Sequence, residues 1–239
     1  MAPYASVEGL IFDIGDVLFM WSPHTKTTIS PSTMKTILTS PTWYEYECGR
    51  MTREACYKMV SQELSLESAQ VAEAFAQARA SLQPDNKMVG FIKNLKKITS
   101  VKVYAMSNIG NEDFEVLKRL IEPGIFERVF TSGAVGMRKP DPEFYRMVLD
   151  EIKVEAENAV FVDDKKENVN AAQALGIRGL VFDETARVIG ALQEIFHGPI
   201  TRGLQYLRNA PDCNSITDGG VIVKDNFAEL LIVEATKDP

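Results

Sequence analysis

Apolar residues gather in five short runs, each ending in polar residues: Val7–Asp13 (VEGLIFD), Val101–Ser107 (VKVYAMS), Arg128–Ser132 (RVFTS), Ala159–Asp164 (AVFVDD) and Arg178–Asp183 (RGLVFD). The runs are rich in β-branched and aromatic residues and nearly continuous in apolarity, which predicts strands buried on both faces of a parallel sheet. Between the later runs the periodicity becomes helical. Residues 86–99 carry Met88, Val89, Ile92 and Leu95 at helical spacing, and 141–152 carry Phe144, Val148 and Ile152. Residues 166–175 are rich in Ala and Asn and stop at Gly176, a residue suited to a helix C-terminus. The alternation from 86 to 197 predicts a doubly wound α/β sheet.

The stretch 22–84 breaks this rhythm. It holds no convincing strand, only helical patterns such as 52–63 and 66–80, and it is too long for a crossover loop. It predicts a helical cap, mobile over the sheet and selecting the substrate, with the core formed by 1–21 and 85–198. Gly198-Pro199 then opens a helical tail, 199–239. Its last helix, 225–236, carries Phe227, Leu230, Leu231, Ile232 and Val233 around much of its circumference, which marks burial on several sides. The core has no evident need for that helix. The tail is therefore expected to belong to a longer protein, or to cover a neighbouring copy in a homo-oligomer.

Composition narrows the picture. The chain has 239 residues, of which 45% are hydrophobic and 25% charged, a globular balance large enough to fold without a disulfide or metal staple. The net charge of -7 argues against nucleic acid or an anionic membrane as partner. Cys48, Cys56 and Cys213 make neither a disulfide framework nor a zinc knuckle. No apolar run approaches the ~20 residues of a spanning helix, and residues 1–9 lack the features of a signal peptide, so a cytoplasmic location is expected. With two histidines, His24 and His197, carboxylates are expected to carry any chemistry. His24 receives no role, and Trp21 and Trp43 are expected to pack in and under the cap rather than to hold substrate.

Ligands of open α/β sheets bind outside the carboxyl ends of the strands. There the sequence sets Asp13, then Ser107 and Asn108, then Lys139 within MRKPDP, then Asp163 and Asp164 with Glu167 just beyond. Such a set suits phosphoryl transfer. A carboxylate can attack phosphorus, clustered carboxylates call for a hard divalent cation such as Mg²⁺, and a lysine with hydroxyl and amide donors can hold phosphoryl oxygens.

These residues resemble the four motifs of the haloacid dehalogenase (HAD) superfamily: FDIGDVL at 12–18, SN at 107–108, Lys139 in MRKPDPEFY, and VFVDDKKENV at 160–169. The resemblance implies a HAD-like core with a C1-type cap and a Mg²⁺-dependent phosphohydrolase. It implies that Asp13 is the nucleophile and a metal ligand. Ser107, Asn108 and Lys139 would bind the phosphoryl group, Lys139 also neutralising charge beside Asp13. Asp163, Asp164 and Glu167 would complete the metal site directly or through water.

One departure matters. The family pattern has a second Asp two residues after the nucleophile, acting as general acid/base; here that position is Gly15, and Asp16 is expected to point elsewhere. Glycine cannot protonate an alkoxide, so a leaving group that is already acidic is favoured, such as the phosphate released from a diphosphate. DDKKE at 163–167 matches the DDxxE pattern of diphosphate-binding isoprenoid enzymes. The tail resembles the opening of the cyclase domain of fungal HAD-like terpene synthases of the drimane and albicanyl type, although the DxDTT acid motif of that domain is absent. Two function classes stand: a Mg²⁺-dependent phosphatase or diphosphatase, acting on an isoprenyl diphosphate or on a generic phosphate monoester, and an inactive HAD-like scaffold of a larger cyclase. A 2-haloacid dehalogenase would leave Asp163 and Asp164 unexplained, and a class I terpene synthase would carry its acidic motif in an all-α fold.

Overall fold

The computed structural model describes residues 7–22 and 25–196. The tail helices and the tail's role in a larger assembly lie outside the described residues, as do His24, His197 and Cys213.

Five parallel strands form the main sheet: β1 (Gly9–Phe12), β4 (Lys102–Ser107), β5 (Arg128–Thr131), β6 (Ala159–Asp163) and β7 (Arg178–Val181), in the order β5-β4-β1-β6-β7. β1 is central, and the chain winds away from it in both directions, so the switch point of the sheet lies at the carboxyl end of β1. Alternate strand residues serve opposite faces. Leu10, Phe12, Val103, Ala105, Val160 and Val162 point to the side covered by α5 (Asn86–Ile98) and by the helical residues 185–196. Ile11, Tyr104, Met106 and Phe161 point to the side covered by α8 (Pro142–Ile152) and α9 (Lys166–Ala174). Burial on both faces explains why the runs of β1, β4 and β6 lack polar alternation, whereas the edge strands β5 and β7, expected to be buried alike, are only partly covered because each has a neighbour on one side alone.

Short helices start where side chains cap them. Asp85 accepts from the N–H groups of Lys87 and Met88 at α5, and Asp141 accepts from Glu143 N–H ahead of α8, with Pro142 in its first turn. Two shorter helices, α6 (Asn111–Leu117) and α7 (Ser132–Val135), follow β4 and β5.

Two three-residue strands, β2 (Phe19–Trp21) and β3 (Leu82–Pro84), pair antiparallel and lead the chain out of the core and back. β3 falls inside the stretch read as strand-free: three residues with mostly exposed side chains leave no hydrophobic pattern. Between them, α1 (Pro31–Leu38), α2 (Pro41–Glu47), α3 (Arg53–Glu63) and α4 (Ser68–Ala80) enclose their own apolar cluster. Its centre is aromatic: Trp43 stacks on Phe75 at 4.5 Å and Tyr57 on Phe75 at 5.4 Å. Trp43 is thus core, whereas Trp21 on β2 is 40% exposed.

This helical layer lies tightly on the core. Asp113 of α6 pairs with Arg79 at 3.1 Å and Arg53 at 3.3 Å, both from the cap. Tyr46 of α2 packs on the bare backbone of Gly110, where a Cβ would come within 2.6 Å of the ring. Gly110→Ala is therefore expected to destabilise the fold by about 1–3 kcal/mol through overpacking. Gly90→Ala, in α5 with open space for a Cβ, is expected to add about 0.5–1 kcal/mol. Thermal denaturation checks the pair, and equal midpoints for the two variants would contradict the close approach at Gly110.

Candidate active site

The strand ends bring most of the expected residues together. Asp13 follows β1, its N–H bonded to Val162 O at 2.8 Å, and Asp163 closes the neighbouring β6. Asp164 is next in the chain. One carboxylate oxygen from each of the three lies within 4.8 Å of the others, close enough to share a cation.

Lys139 enters this group from the loop before α8, with a cis peptide bond to Pro140. Its side chain is 1% exposed. It donates to Asp163 Oδ2 at 2.6 Å and to Met106 O at 2.8 Å, and lies 2.9 Å from Asp13 Oδ1. Burial works against the charged lysine, but the Asp13 and Asp163 carboxylates outweigh it and raise its pKa above the usual lysine value. Asp163 is saturated: Oδ1 accepts from Lys165 N–H at 2.8 Å, and Asn168 Nδ2 spans both oxygens at 2.9 and 3.0 Å. Asp13 Oδ1 also accepts from Ile14 N–H at 2.7 Å. Among the described residues no donor pairs with Asp13 Oδ2 or with the Asp164 carboxylate, so these are the oxygens free to take a cation.

The electrostatics follow from the count. Three carboxylates face one ammonium, which leaves two surplus negative charges. Burial, opposed by Lys139 and reinforced by Asp163, raises the Asp13 pKa above the usual carboxylate range. Burial, with the charges of Asp13 and Asp163, pushes the Asp164 carboxyl up to about 7. A hard divalent cation would cancel the surplus, and an all-oxygen donor set suits Mg²⁺.

Other expectations change. Asn108 engages the Lys139 backbone: its Nδ2 donates one proton to Lys139 O at 2.9 Å and its Oδ1 accepts from Lys139 N–H at 2.8 Å. This clamp sets the height of the lysine. Each of the Lys139 ammonium's protons has an acceptor, so direct contact with a phosphoryl oxygen requires a carboxylate to give one up. Ser107 is buried at the end of β4. Glu167 is exposed on α9 and stands outside the carboxylate group, because the helix turns its face away one residue before Asn168. Asn168 was missed from the sequence, although a polar residue beside Val169 on a helix's inward face signals a buried partner. Asp16 is exposed, in left-handed backbone (φ 56°), and also outside the group. Gly15 has nothing within 4 Å of where a Cβ would stand.

Comparison with known proteins agrees with this geometry. The family model of haloacid dehalogenase-like hydrolases matches residues 7–176, and that of the sesquiterpene cyclase astC-like C-terminal domain matches residues 200–239. The sesquiterpene phosphatase astK of Aspergillus oryzae is 39% identical over 189 residues, covering 79% of this chain and 96% of that protein. The drimenol cyclase drtB of Aspergillus calidoustus is 43% identical over 237 residues, covering 98% of this chain but 45% of that protein. The chain thus spans less than half the length of that relative. Among solved structures, a HAD family enzyme of Bacteroides thetaiotaomicron in complex with magnesium and inorganic phosphate shares the fold, with a TM-score of 0.58, 20% identity and coverage of 77% of this chain and 99% of that one. Among the described residues no helix is long and apolar enough to cross a membrane. The chain belongs to the haloacid dehalogenase-like hydrolases and carries the astC-like C-terminal segment of the fungal HAD-like terpene synthases.

Proposed function

We propose that this chain is a Mg²⁺-dependent phosphatase that removes phosphate from a sesquiterpenyl diphosphate through an aspartyl-phosphate on Asp13. The observation that carries the reading is the buried Asp13–Lys139–Asp163 ion cluster with Asp164 beside it, at the switch point of the sheet. The organic part of the substrate rests on kinship with a protein named a sesquiterpene phosphatase and on the astC-like tail.

Asp13 attacks the terminal phosphorus. Ile14 N–H and Lys139 hold one of its oxygens and so fix the rotation of the carboxylate. Asp13 and Asp164 would hold Mg²⁺, with Asp163 acting through water, and the cation would supply Lewis-acid charge to the phosphoryl oxygens. Attack breaks the bond between the two phosphates, and the organic monophosphate leaves without needing a proton. Water then cleaves the aspartyl-phosphate, releasing inorganic phosphate and restoring Asp13. Ser107 and the backbone around Asn108 line the same edge and are assigned to the phosphoryl group. The family general acid has no counterpart at Gly15, so a poor alkoxide leaving group is a poor substrate. A cytoplasmic setting accords with this chemistry.

Phosphate release from farnesyl diphosphate and from farnesyl monophosphate, with and without Mg²⁺, tests the reading. The diphosphate is expected to react faster, and Asp13→Asn to lower the rate by about 10³-fold or more. Equal rates on both substrates, or a rate indifferent to Mg²⁺, would contradict it. Because a Cβ at Gly15 meets open space, Gly15→Asp is expected to fold and to raise monophosphate hydrolysis by about 10²-fold. An unchanged monophosphate rate in folded Gly15→Asp would count against the leaving-group argument.

The pH dependence has a defined sign. Asp164 keeps a proton in the folded state up to about 7 that the unfolded chain releases near 3.8. Without metal, its contribution to stability therefore falls as pH rises through that window. Divalent binding needs the ionised form, so the rise in melting temperature on adding Mg²⁺ is expected to be larger at about pH 8 than at about pH 5.5. The same rise at both would contradict the assignment of Asp164.

A further inference from the structure

One residue of the cap touches the loop that carries Lys139 and reaches the loop after Ser107 and Asn108 through Ser132. Glu47 ends α2. Its carboxylate Oε2 accepts from Arg138 Nε at 3.0 Å and lies 2.9 Å from Arg138 Nη2, while Oε1 accepts from Trp43 Nε1 at 3.1 Å. The Arg138 guanidinium also sits 3.8 Å over the ring of Tyr44, one turn back on the same helix. Both side chains of the ion pair are largely shielded, 22% and 13% exposed, so water screens it less than a surface pair. Arg138 directly precedes Lys139, and Asp141 N–H bonded to Arg138 O at 2.9 Å closes the turn that contains the lysine.

The second loop is reached through the backbone. Glu47 O accepts from Ser132 Oγ at 2.7 Å, and the same Oγ accepts from Ile109 N–H at 2.8 Å. Ile109 follows Ser107 and Asn108, and Asn108 in turn grips the backbone of Lys139 on both sides. The contacts make a closed circuit: Glu47 to Arg138 and Lys139, Lys139 to Asn108 and Ile109, Ile109 to Ser132 and back to Glu47.

We propose that Glu47 is a positioning residue for phosphoryl transfer, through which the docked cap sets the placement of Lys139 and of the Ser107–Asn108 loop. The proposal rests on the phosphatase reading above for its kinetic consequence, but its structural consequence stands apart from it. Asp113, paired with Arg53 and Arg79, anchors the cap on α6 away from both loops, whereas Tyr46 against Gly110 and Arg50 Nη2, which donates to Gly136 O at 3.0 Å, also touch these segments. The Glu47 and Asp113 contacts can therefore be separated.

The test uses the full chain with Mg²⁺ and p-nitrophenyl phosphate, whose good leaving group avoids the Gly15 limitation. Glu47→Gln is expected to lower kcat by about 10–100-fold, the scale of a small misplacement of reacting groups. KM should stay within about twofold, as for a group that does not bind substrate. Arg138→Gln should behave alike, and the double variant should be no worse than the poorer single one, because the two act as a unit. Asp113→Asn should lower the melting temperature and leave kcat unchanged. Hydrogen–deuterium exchange in segment 136–141 should rise in Glu47→Gln and not in Asp113→Asn. Unchanged kcat and exchange in Glu47→Gln would overturn the proposal. So would a rise in KM at constant kcat, or an equal loss of kcat in Asp113→Asn. If Glu47→Gln does not fold, Arg138→Gln read the same way decides. If the wild-type chain releases no phosphate, the phosphatase reading fails and the exchange comparison alone judges Glu47.

Discussion

The ammonium of Lys139 is buried where a charge without partners is untenable, and the carboxyl edge of the sheet is built around that requirement. Its acceptors come from three adjacent strands: Asp13 after β1, Asp163 of β6 and Met106 of β4. The lysine thus ties the strand ends at the switch point, while Asn108 clamps its backbone from β4 and Asn168 holds Asp163 from α9. Removing the lysine would leave the Asp13 and Asp163 carboxylates facing each other without a counter-charge. The same economy explains the chemistry: the lysine's charge is spent on Asp13 and Asp163, and Asp164 is left beside two carboxylates with its pKa pushed up to about 7. The site is short of positive charge by construction, which is what makes it receptive to a divalent cation and then to phosphate.

From this edge the order spreads into the cap. The chain leaves the core six residues beyond Asp13 along β2 and returns along β3, so the helical layer is joined to the core close in sequence to the nucleophile. It is held down by contacts of unequal meaning. The Asp113 pairs fasten the cap to α6 and Tyr46 packs on Gly110 just beyond Asn108, whereas Glu47 bonds Arg138 beside Lys139 and reaches Ile109 through Ser132. A cap so docked does more than cover the site, since its position and that of the lysine are linked through shared hydrogen bonds.

The sheet was legible because burial on both faces writes an unbroken apolar run into its central strands β1, β4 and β6, and the ligand edge then follows from where those runs end in Asp13, Ser107 and Asp163. β2 and β3 left no such trace, being three residues long and mostly exposed. α1 and α2 carried their signals in Ser30-Pro31 and Ser40-Pro41, but each is too short for its apolar spacing to stand out. Within the site, residue types were readable and their partners were not. Asn108 and Lys139 looked like donors to a phosphoryl group, yet the Lys139 ammonium faces Asp13, Asp163 and Met106 O, and one Asn108 amide proton goes to Lys139 O. Glu167 and Asn168 are neighbours in sequence, but the turn of α9 sends one to solvent and the other to Asp163. Glu47 carried no motif at all; its importance comes from a contact 91 residues away in the chain.

The central claim is that Asp13 itself takes up the phosphoryl group. An acid-quenched single turnover with the diphosphate substrate and Mg²⁺, followed by peptide mass mapping, tests it most directly. The account predicts one phosphoryl group on the peptide containing Asp13, absent in Asp13→Asn. Phosphate release with no labelled peptide, or a phosphoryl group on another residue, would contradict it.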